Sequence, residues 1–484
     1  MTYGKKYFCI LHAHFSLKKG DGTLGRLFGT DGARGIANTE LSCELALKIG
    51  RAMAMALPEL QQPQSGVRPQ VLIGMDTRAS SPMLAGALAA GLNSMGMDAV
   101  LAGVVPTPAV AHLIPLWGCM AGAMVSASHN PCEFNGIKLF SALGTKLPDA
   151  LEEEIEAIIL DEAKLPPVII GGSVGRSIAG EAAVPDYLRH LRATVPATLS
   201  VRLREQGMHR IALDCSNGSA SVTAPRLFSD LGFSFDLLSA APDGENINRQ
   251  CGSTHMERLQ EYVKTHDDID IGLAFDGDAD RLLAVDEQGN LVDGDQIIAL
   301  CAKQWKQDGR LAKNTAVATV MSNLGFMEFC SKNGIEKEIT TVGDRYVLEA
   351  MTEHGYNLGG EQSGHIIFRD FAATGDGQLT ALQMLEVMRK SGRTLAELAG
   401  EMERFPQVMI NVKVSNLGKL RCQTDPEILA ARKKAEAELG EAGRVLVRVS
   451  GTEPLIRVML EGRDSAQIQT LAEEIAEVVQ ERLI

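Results

Sequence analysis

Three times along the chain a short apolar run stops at a polar turn, a helix-like stretch follows, and a second apolar run returns roughly 20 to 30 residues later. The first unit is Val71 to Asp76, with the turn Thr77-Arg78-Ala79-Ser80 and the return Asp98 to Val105. The second is Arg210 to Asp214, with Cys215-Ser216-Asn217-Gly218 and then Phe233 to Leu238. The third is Thr315 to Val320, with Met321-Ser322-Asn323 and then Ile335 to Val342. Such alternation indicates parallel α/β layers, and its recurrence at intervals of roughly 110 to 140 residues reads as a diverged triplication.

The C-terminal stretch breaks the plan. It holds an alternating strand from Val408 to Val414, a Lys/Glu/Ala-rich helix near Pro426 to Leu439, two strands around Ser450 to Pro454 and a final amphipathic helix, an α+β layout. With 484 residues the chain is too long for one core. The expected fold class is α/β: three related α/β domains over 24–190, 191–284 and 285–400, plus a C-terminal α+β domain over 401–484. Residues 1–23 carry no motif; Tyr7 to Leu11 is too short for a signal segment, and the stretch reads as an over-extended start or a tail.

Composition excludes several classes of function. A formal net charge of -14 argues against general nucleic-acid binding, so an anionic ligand must be held by local Arg and Lys clusters. Nine cysteines are scattered singly with no C-x-x-C pair, which suggests reduced thiols and a cytoplasmic location. No apolar run approaches the roughly 18 residues of a membrane span.

Four polar loops carry candidate chemistry. Ser126-Ala127-Ser128-His129-Asn130-Pro131 follows an apolar strand and precedes Asn135-Gly136-Ile137-Lys138, which leaves a hydroxyl on an exposed loop with rigid flanks. An extended backbone there would send His129 to the side opposite Ser128, against a Ser–His hydrolase dyad. Asp276-Gly277-Asp278-Ala279-Asp280-Arg281 puts carboxylates at alternate positions, which on an extended backbone all face one way and repel unless a cation joins them. Asp276, Asp278, Asp280 and Glu287 also match an EF-hand, but Arg281 stands where that loop needs glycine and the flanks read as strands. Hard oxygen ligands in so small a set favour Mg²⁺ completed by phosphate. In Gly360-Glu361-Gln362-Ser363-Gly364-His365, Glu361 and Ser363 alternate as acceptor and donor for vicinal hydroxyls of a sugar. Arg448-Val449-Ser450-Gly451-Thr452-Glu453-Pro454, with Arg457 beyond, combines turn amides with guanidinium groups as a phosphate clamp. Gly29-Thr30-Asp31-Gly32-Ala33-Arg34-Gly35 is a further glycine-rich loop.

In this combination and order, the chain resembles the α-D-phosphohexomutase family from Leu24 to the C-terminus. The resemblance implies four domains around a central cleft, a phosphate carried on Ser128, and one Mg²⁺ held by Ser128, Asp276, Asp278 and Asp280. It implies that Lys138 and Arg34 serve phosphoryl transfer and that His365 assists proton transfer. Arg281, Glu361 and Ser363 would bind the sugar; Arg448, Ser450, Gly451, Thr452 and Arg457 would hold the phosphate that is not reacting. Val342-Gly343-Asp344-Arg345-Tyr346-Val347 is similar to the version of this loop in the amino-sugar members, with Asp344 as the carboxylate for an ammonium at C2. The implied partner is a hexosamine phosphate, with no nucleic acid and no membrane; the oligomeric state is not fixed, a homodimer being one option. The alternatives are a mutase of neutral hexose phosphates and a catalytically silent sugar-phosphate-binding regulator, against which the intact Ser128, Lys138 and aspartates count.

Overall fold

The computed structural model describes residues 27–29, 32–60, 68–161, 169–440, 443–449 and 455–483. They form four sheets. In the first, Phe134–Ser141, Ala121–Val125, Gln70–Met75 and Asp98–Val104 lie side by side, flanked by Gly32–Ile36 on one edge and Ser177–Ala179 on the other. The second repeats the order with Leu282–Val285, Ile271–Phe275, Arg210–Asp214 and Ser234–Leu238. The third repeats it with Ile366–Phe368, Leu358–Gly360, Thr315–Thr319 and Glu336–Thr340.

Each time the two strands expected from the sequence pair in parallel, and each time a third strand continues parallel before the chain folds back in an antiparallel hairpin. The same four-strand topology three times over is what a triplicated unit leaves behind. Composition follows position in the sheet. Ile271–Phe275 and Thr315–Thr319 are buried at every residue, as inner strands covered on both faces must be. Glu336–Thr340 has the sequence EKEIT and a largely exposed surface, charges that blunt a sheet edge.

Helices cover both faces. Cys43–Leu60 and Ser81–Ser94 cross so closely that a Cβ added at Gly50 would meet Leu88 O at 2.3 Å, and one at Gly91 would meet Leu47 O at 2.3 Å. One apolar cluster runs from Leu72 and Val110 through Tyr187, Leu213 and Phe275 to Ile298 and Phe368, so the three α/β units share a continuous core. The fourth unit keeps its own core, Val412 to Leu483, in a sheet ordered Gln407–Lys413, Leu455–Gly462, Gly443–Val449 against helices Pro426–Leu439 and Ser465–Leu483. The link between them is pinned: Phe405 N donates to Asn323 Oδ1 and Asn323 Nδ2 to Phe405 O, both at 3.0 Å. No described helix is long and apolar enough to cross a membrane. Residues 1–23 lie outside the described residues.

Candidate active site

Three of the four polar loops are described hairpin connections, and the strands on either side of the fourth are paired antiparallel. The serine loop joins Ala121–Val125 to Phe134–Ser141, the aspartate loop joins Ile271–Phe275 to Leu282–Val285, the Glu361 loop joins Leu358–Gly360 to Ile366–Phe368, and 450–454 lies between Gly443–Val449 and Leu455–Gly462. A two-stranded connection anchors both ends of a tip in a sheet, which is how a loop carrying polar chemistry is held still.

The aspartate loop is a turn and not the extended stretch read from the sequence: Ala279 N–H donates to Asp276 O at 3.0 Å and Ala279 takes φ +56°. The turn, rather than alternation, gathers the carboxylates. All three are buried, with oxygens within 4.8 Å of one another. Asp278 Oδ1 and Asp280 Oδ1 have no hydrogen-bond partner. Burial first, then Asp280 and Asp278, pushes Asp276 well above the usual carboxylate range. Burial works against charge on Asp280 as well, but Lys138, His365 and Arg281 outweigh it and hold that group low. Lys138 Nζ stands 3.1 Å from Asp278 and 3.6 Å from Asp280. Three buried carboxylates facing two cationic side chains, with two oxygens unbonded, are a donor set that fits a hard divalent cation.

Ser128 is buried and not on the exposed loop read from the sequence, because its Oγ donates to Asp276 Oδ2 at 2.6 Å and so joins the first and second units. His129 overturns a sequence expectation: its Nδ1 lies 3.3 Å from Ser128 Oγ, because Ser128 is left-handed at φ +50° and the loop does not alternate. Burial, helped by Arg281 and Arg34, lowers the His129 pKa to about 4 and leaves the ring neutral near pH 7. Arg34 sits opposite Gly136 on the neighbouring strand, and a Cβ at Gly136 would crowd Arg34 Cγ at 3.0 Å.

The Glu361 loop is likewise a turn, closed by Gly364 N–H to Glu361 O at 3.0 Å with Gly364 at φ +93°, so Glu361 and Ser363 do not alternate as a strand. Glu361 Oε1 accepts Gly343 N–H at 3.0 Å, while Ser363 is exposed. His365 is buried, with Nδ1 3.5 Å from Asp280 Oδ2 and Nε2 accepting Gly375 N–H at 3.1 Å. That bond needs a lone pair on Nε2 and so puts the proton of the neutral ring on Nδ1, facing Asp280. Burial opposes charge on the ring, but Asp280, Asp344 and Glu361 draw its pKa upward overall.

Asp344 opens the helix Asp344–His354 and faces the first unit, where Lys146 Nζ lies 2.8 Å from its Oδ2. Arg345 pairs with Asp149 across the same gap. Arg448 and Arg457 are direct partners on adjacent antiparallel strands. Burial, then Arg457, lowers the Arg448 pKa, and Glu361 acts in the opposite sense. Like charges directly opposite are destabilising, and a bridging anion would relieve them. Ser450, Gly451 and Thr452 lie outside the described residues, as do Thr30 and Asp31.

Several residues in this centre drew no functional reading from the sequence. Thr107 donates Oγ1 to Asp278 Oδ2 at 2.7 Å, Lys146 holds Asp344, and Arg78 and Asn248 grip the serine loop. The available signal was Asp76-Thr77-Arg78 at a buried strand end, where an arginine is costly without several acceptors.

Comparison with known proteins agrees with this geometry. Profiles of the phosphoglucomutase/phosphomannomutase family match in chain order: alpha/beta/alpha domain I over residues 25–165, domain II over 185–289, domain III over 293–405 and the C-terminal domain over 409–478. The chain belongs to that family. Among its curated relatives, the phosphoglucosamine mutase of Clostridium perfringens is 51% identical over 460 residues, covering 94% of this chain and 99% of the relative. That of Caldicellulosiruptor saccharolyticus is 51% identical over 462 residues, covering 95% and 100%. A phosphoglucomutase/phosphomannomutase family protein from Burkholderia thailandensis shares the fold at TM-score 0.75 and 24% identity, over 95% of this chain and 98% of that one.

Proposed function

We propose that this enzyme interconverts glucosamine 6-phosphate and glucosamine 1-phosphate, with Ser128 as phosphoryl carrier and a bisphosphorylated sugar as intermediate. The observation that carries the reading is the 2.6 Å contact between Ser128 Oγ and a buried triad of carboxylates, two of whose oxygens have no hydrogen-bond partner. Ser128, Asp276, Asp278 and Asp280 would hold Mg²⁺, which when bound offsets the negative charge of a phosphoryl group under transfer.

In the forward half-reaction, phosphorylated Ser128 gives up its phosphoryl group to the sugar's C1 hydroxyl. The Oγ–P bond breaks, an O–P bond forms on the sugar, and the hydroxyl proton passes to a base on the His365 side of the cleft. The sugar turns over, and the reverse transfer from its C6 oxygen restores the serine ester. Lys138 and Arg34 counter charge on the moving group, while Arg281, Glu361 and Ser363 orient the ring. Arg448 and Arg457, with Ser450, Gly451 and Thr452, hold whichever phosphate is idle, and one clamp serves both ends. Asp344 would select the amino sugar by taking the C2 ammonium in place of that of Lys146, which lies 2.8 Å from it. The compartment consistent with eight free cysteines among the described residues is the cytoplasm.

The test is a competition between glucosamine 6-phosphate and glucose 6-phosphate, with mannose 6-phosphate as a third arm. A charge-assisted hydrogen bond of about 1.5–3 kcal/mol corresponds to roughly 10- to 150-fold in kcat/KM if fully expressed in the transition state. Equal or better use of a neutral sugar would reassign the substrate. Ser128→Ala should abolish turnover, leave sugar-phosphate binding largely intact and remove the single phosphate from the intact mass; near-normal turnover would end the covalent reading.

A further inference from the structure

Ser128 takes a backbone conformation that serine rarely adopts, φ +50° in the left-handed region. Both of its backbone polar groups are tied. Its N–H donates to Ser126 Oγ at 2.9 Å; its carbonyl oxygen accepts from Arg78 Nη2 at 2.9 Å and from Asn248 Nδ2 at 2.8 Å. The carbonyls that follow are gathered by the same two side chains. Asn130 O accepts from Arg78 Nη2 at 2.8 Å and from Asn248 Nδ2 at 3.0 Å, and Pro131 O accepts from Arg78 Nη1.

The cradle is buried and built from two units. Arg78 is 1% exposed and Asn248 6%. Asp76 aims the guanidinium through Nε at 2.8 Å and accepts from Ser126 Oγ at 2.7 Å, so one carboxylate steers two of the three side chains that hold Ser128. Asn248 comes from the second unit, the one that carries the aspartate loop. Space is reserved for it: a Cβ at Gly277 would lie 2.6 Å from Ser128 O and 2.9 Å from Asn248 Nδ2. Burying a guanidinium is costly, and here its donors go to three carbonyls of one loop and to the carboxylate that aims it.

We propose that Arg78 and Asn248 are positioning residues for phosphoryl transfer. They hold the Ser128 loop in its left-handed form and fix Oγ against the aspartate loop of the neighbouring unit. The proposal rests on Ser128 being the phosphoryl carrier. The hydrogen bonds of both side chains go to backbone carbonyls of the serine loop and, for Arg78, also to Asp76, and the phosphate clamp lies on another unit. Loosening the cradle therefore displaces the nucleophile and leaves ground-state binding alone, and a displacement of about 1 Å at a reacting atom costs on the order of 100-fold in rate.

The experiment compares wild type, Asn248→Ala and Arg78→Lys for kcat, KM, melting temperature, and the rate at which dephosphorylated enzyme regains one phosphate, by intact mass, from a hexose 1,6-bisphosphate. Asn248→Ala should fold, lose roughly 10- to 100-fold in kcat with KM changed less than about 3-fold, and rephosphorylate more slowly by a similar factor. Arg78→Lys, which keeps the charge but not the fork, should be impaired in the same two readouts. Asn248→Ala is the deciding variant if Arg78→Lys does not fold. Wild-type kcat in Asn248→Ala, or a raised KM with kcat intact, would overturn the positioning role. Wild type that turns over without ever carrying a phosphate would instead defeat the Ser128 reading itself.

Discussion

Asp278 turns one carboxylate oxygen to Lys138 and Thr107, while the other has no hydrogen-bond partner. Asp278→Asn keeps the shape and removes the charge, so enzyme stripped by chelator should need markedly more Mg²⁺ to recover; a metal titration of activity and of melting temperature would show it. Full activity of wild type in chelator would refute the metal loop. Gly375 makes a second single-atom case. A Cβ there would stand 2.6 Å from three atoms of the His365 ring. Gly375→Ala should displace the imidazole, lower kcat by at least 10-fold, and cost about 1–3 kcal/mol in denaturant unfolding. The contact of His129 with Ser128 was illegible for a related reason: side-chain direction follows backbone φ, and nothing in Ala-Ser-His announces a left-handed serine.

Strand ends repeat as faithfully as strand order. At the end of the corresponding strand of each unit, a side chain accepts the amide two residues on: Asp76, just past Met75, from Arg78 at 3.0 Å, Asp214 from Ser216 at 2.9 Å, Thr319 from Met321 at 3.2 Å. Parallel pairs were legible because their apolar runs and turn residues are local signals. The strands flanking the aspartate loop and the hairpin-like turn after Arg448 were legible in the same way, but the conformation of the tips was not, and so the aspartate and Glu361 loops were read as extended when both are turns. Helix Gly377–Ser391 offers a pH test at this scale. Its N-cap, Asp376, accepts Leu379 N–H and the Tyr187 hydroxyl at 2.9 Å each, yet burial raises its pKa to about 6. Below about pH 4 the carboxyl is protonated folded or unfolded; as pH climbs to 6 only the unfolded form ionises freely, so stability falls over that window by roughly 3 kcal/mol and then levels. Asp376→Asn should flatten that part of the pH–stability curve, as measured by urea midpoints between pH 4 and 7.

Across the molecule, the fourth unit is attached by a small buried latch. Glu461, fully buried, accepts Leu324 N–H at 3.0 Å and Arg444 Nη2 at 2.5 Å, while Arg444 also donates to Val320 O and Ser322 O on the third unit. Arg444→Ala leaves Glu461 buried without its cation, a loss of about 3–5 kcal/mol. Because Arg448 and Arg457 belong to the same sheet as Arg444, KM for sugar phosphate should rise while phosphorylation of Ser128 stays at the wild-type level; calorimetry and intact mass read the two effects separately. The exposed pair Arg345–Asp149 should matter far less, with Asp149→Ala changing stability by no more than about 1 kcal/mol.

The hairpin construction of the site also bears on how it can change. The serine, aspartate and Glu361 tips each have both ends fixed in one sheet and no covalent segment runs directly from one tip to the next, so they are coupled only through contacts such as Ser128 Oγ on Asp276 and Leu282 N–H on Gly364 O. Under the proposed roles, reaction chemistry, metal affinity, sugar choice and phosphate grip would be inherited on separate pieces of chain. A new substrate would be reached by rewriting the Glu361 tip and its neighbour at Asp344, with the serine and aspartate tips left as they stand.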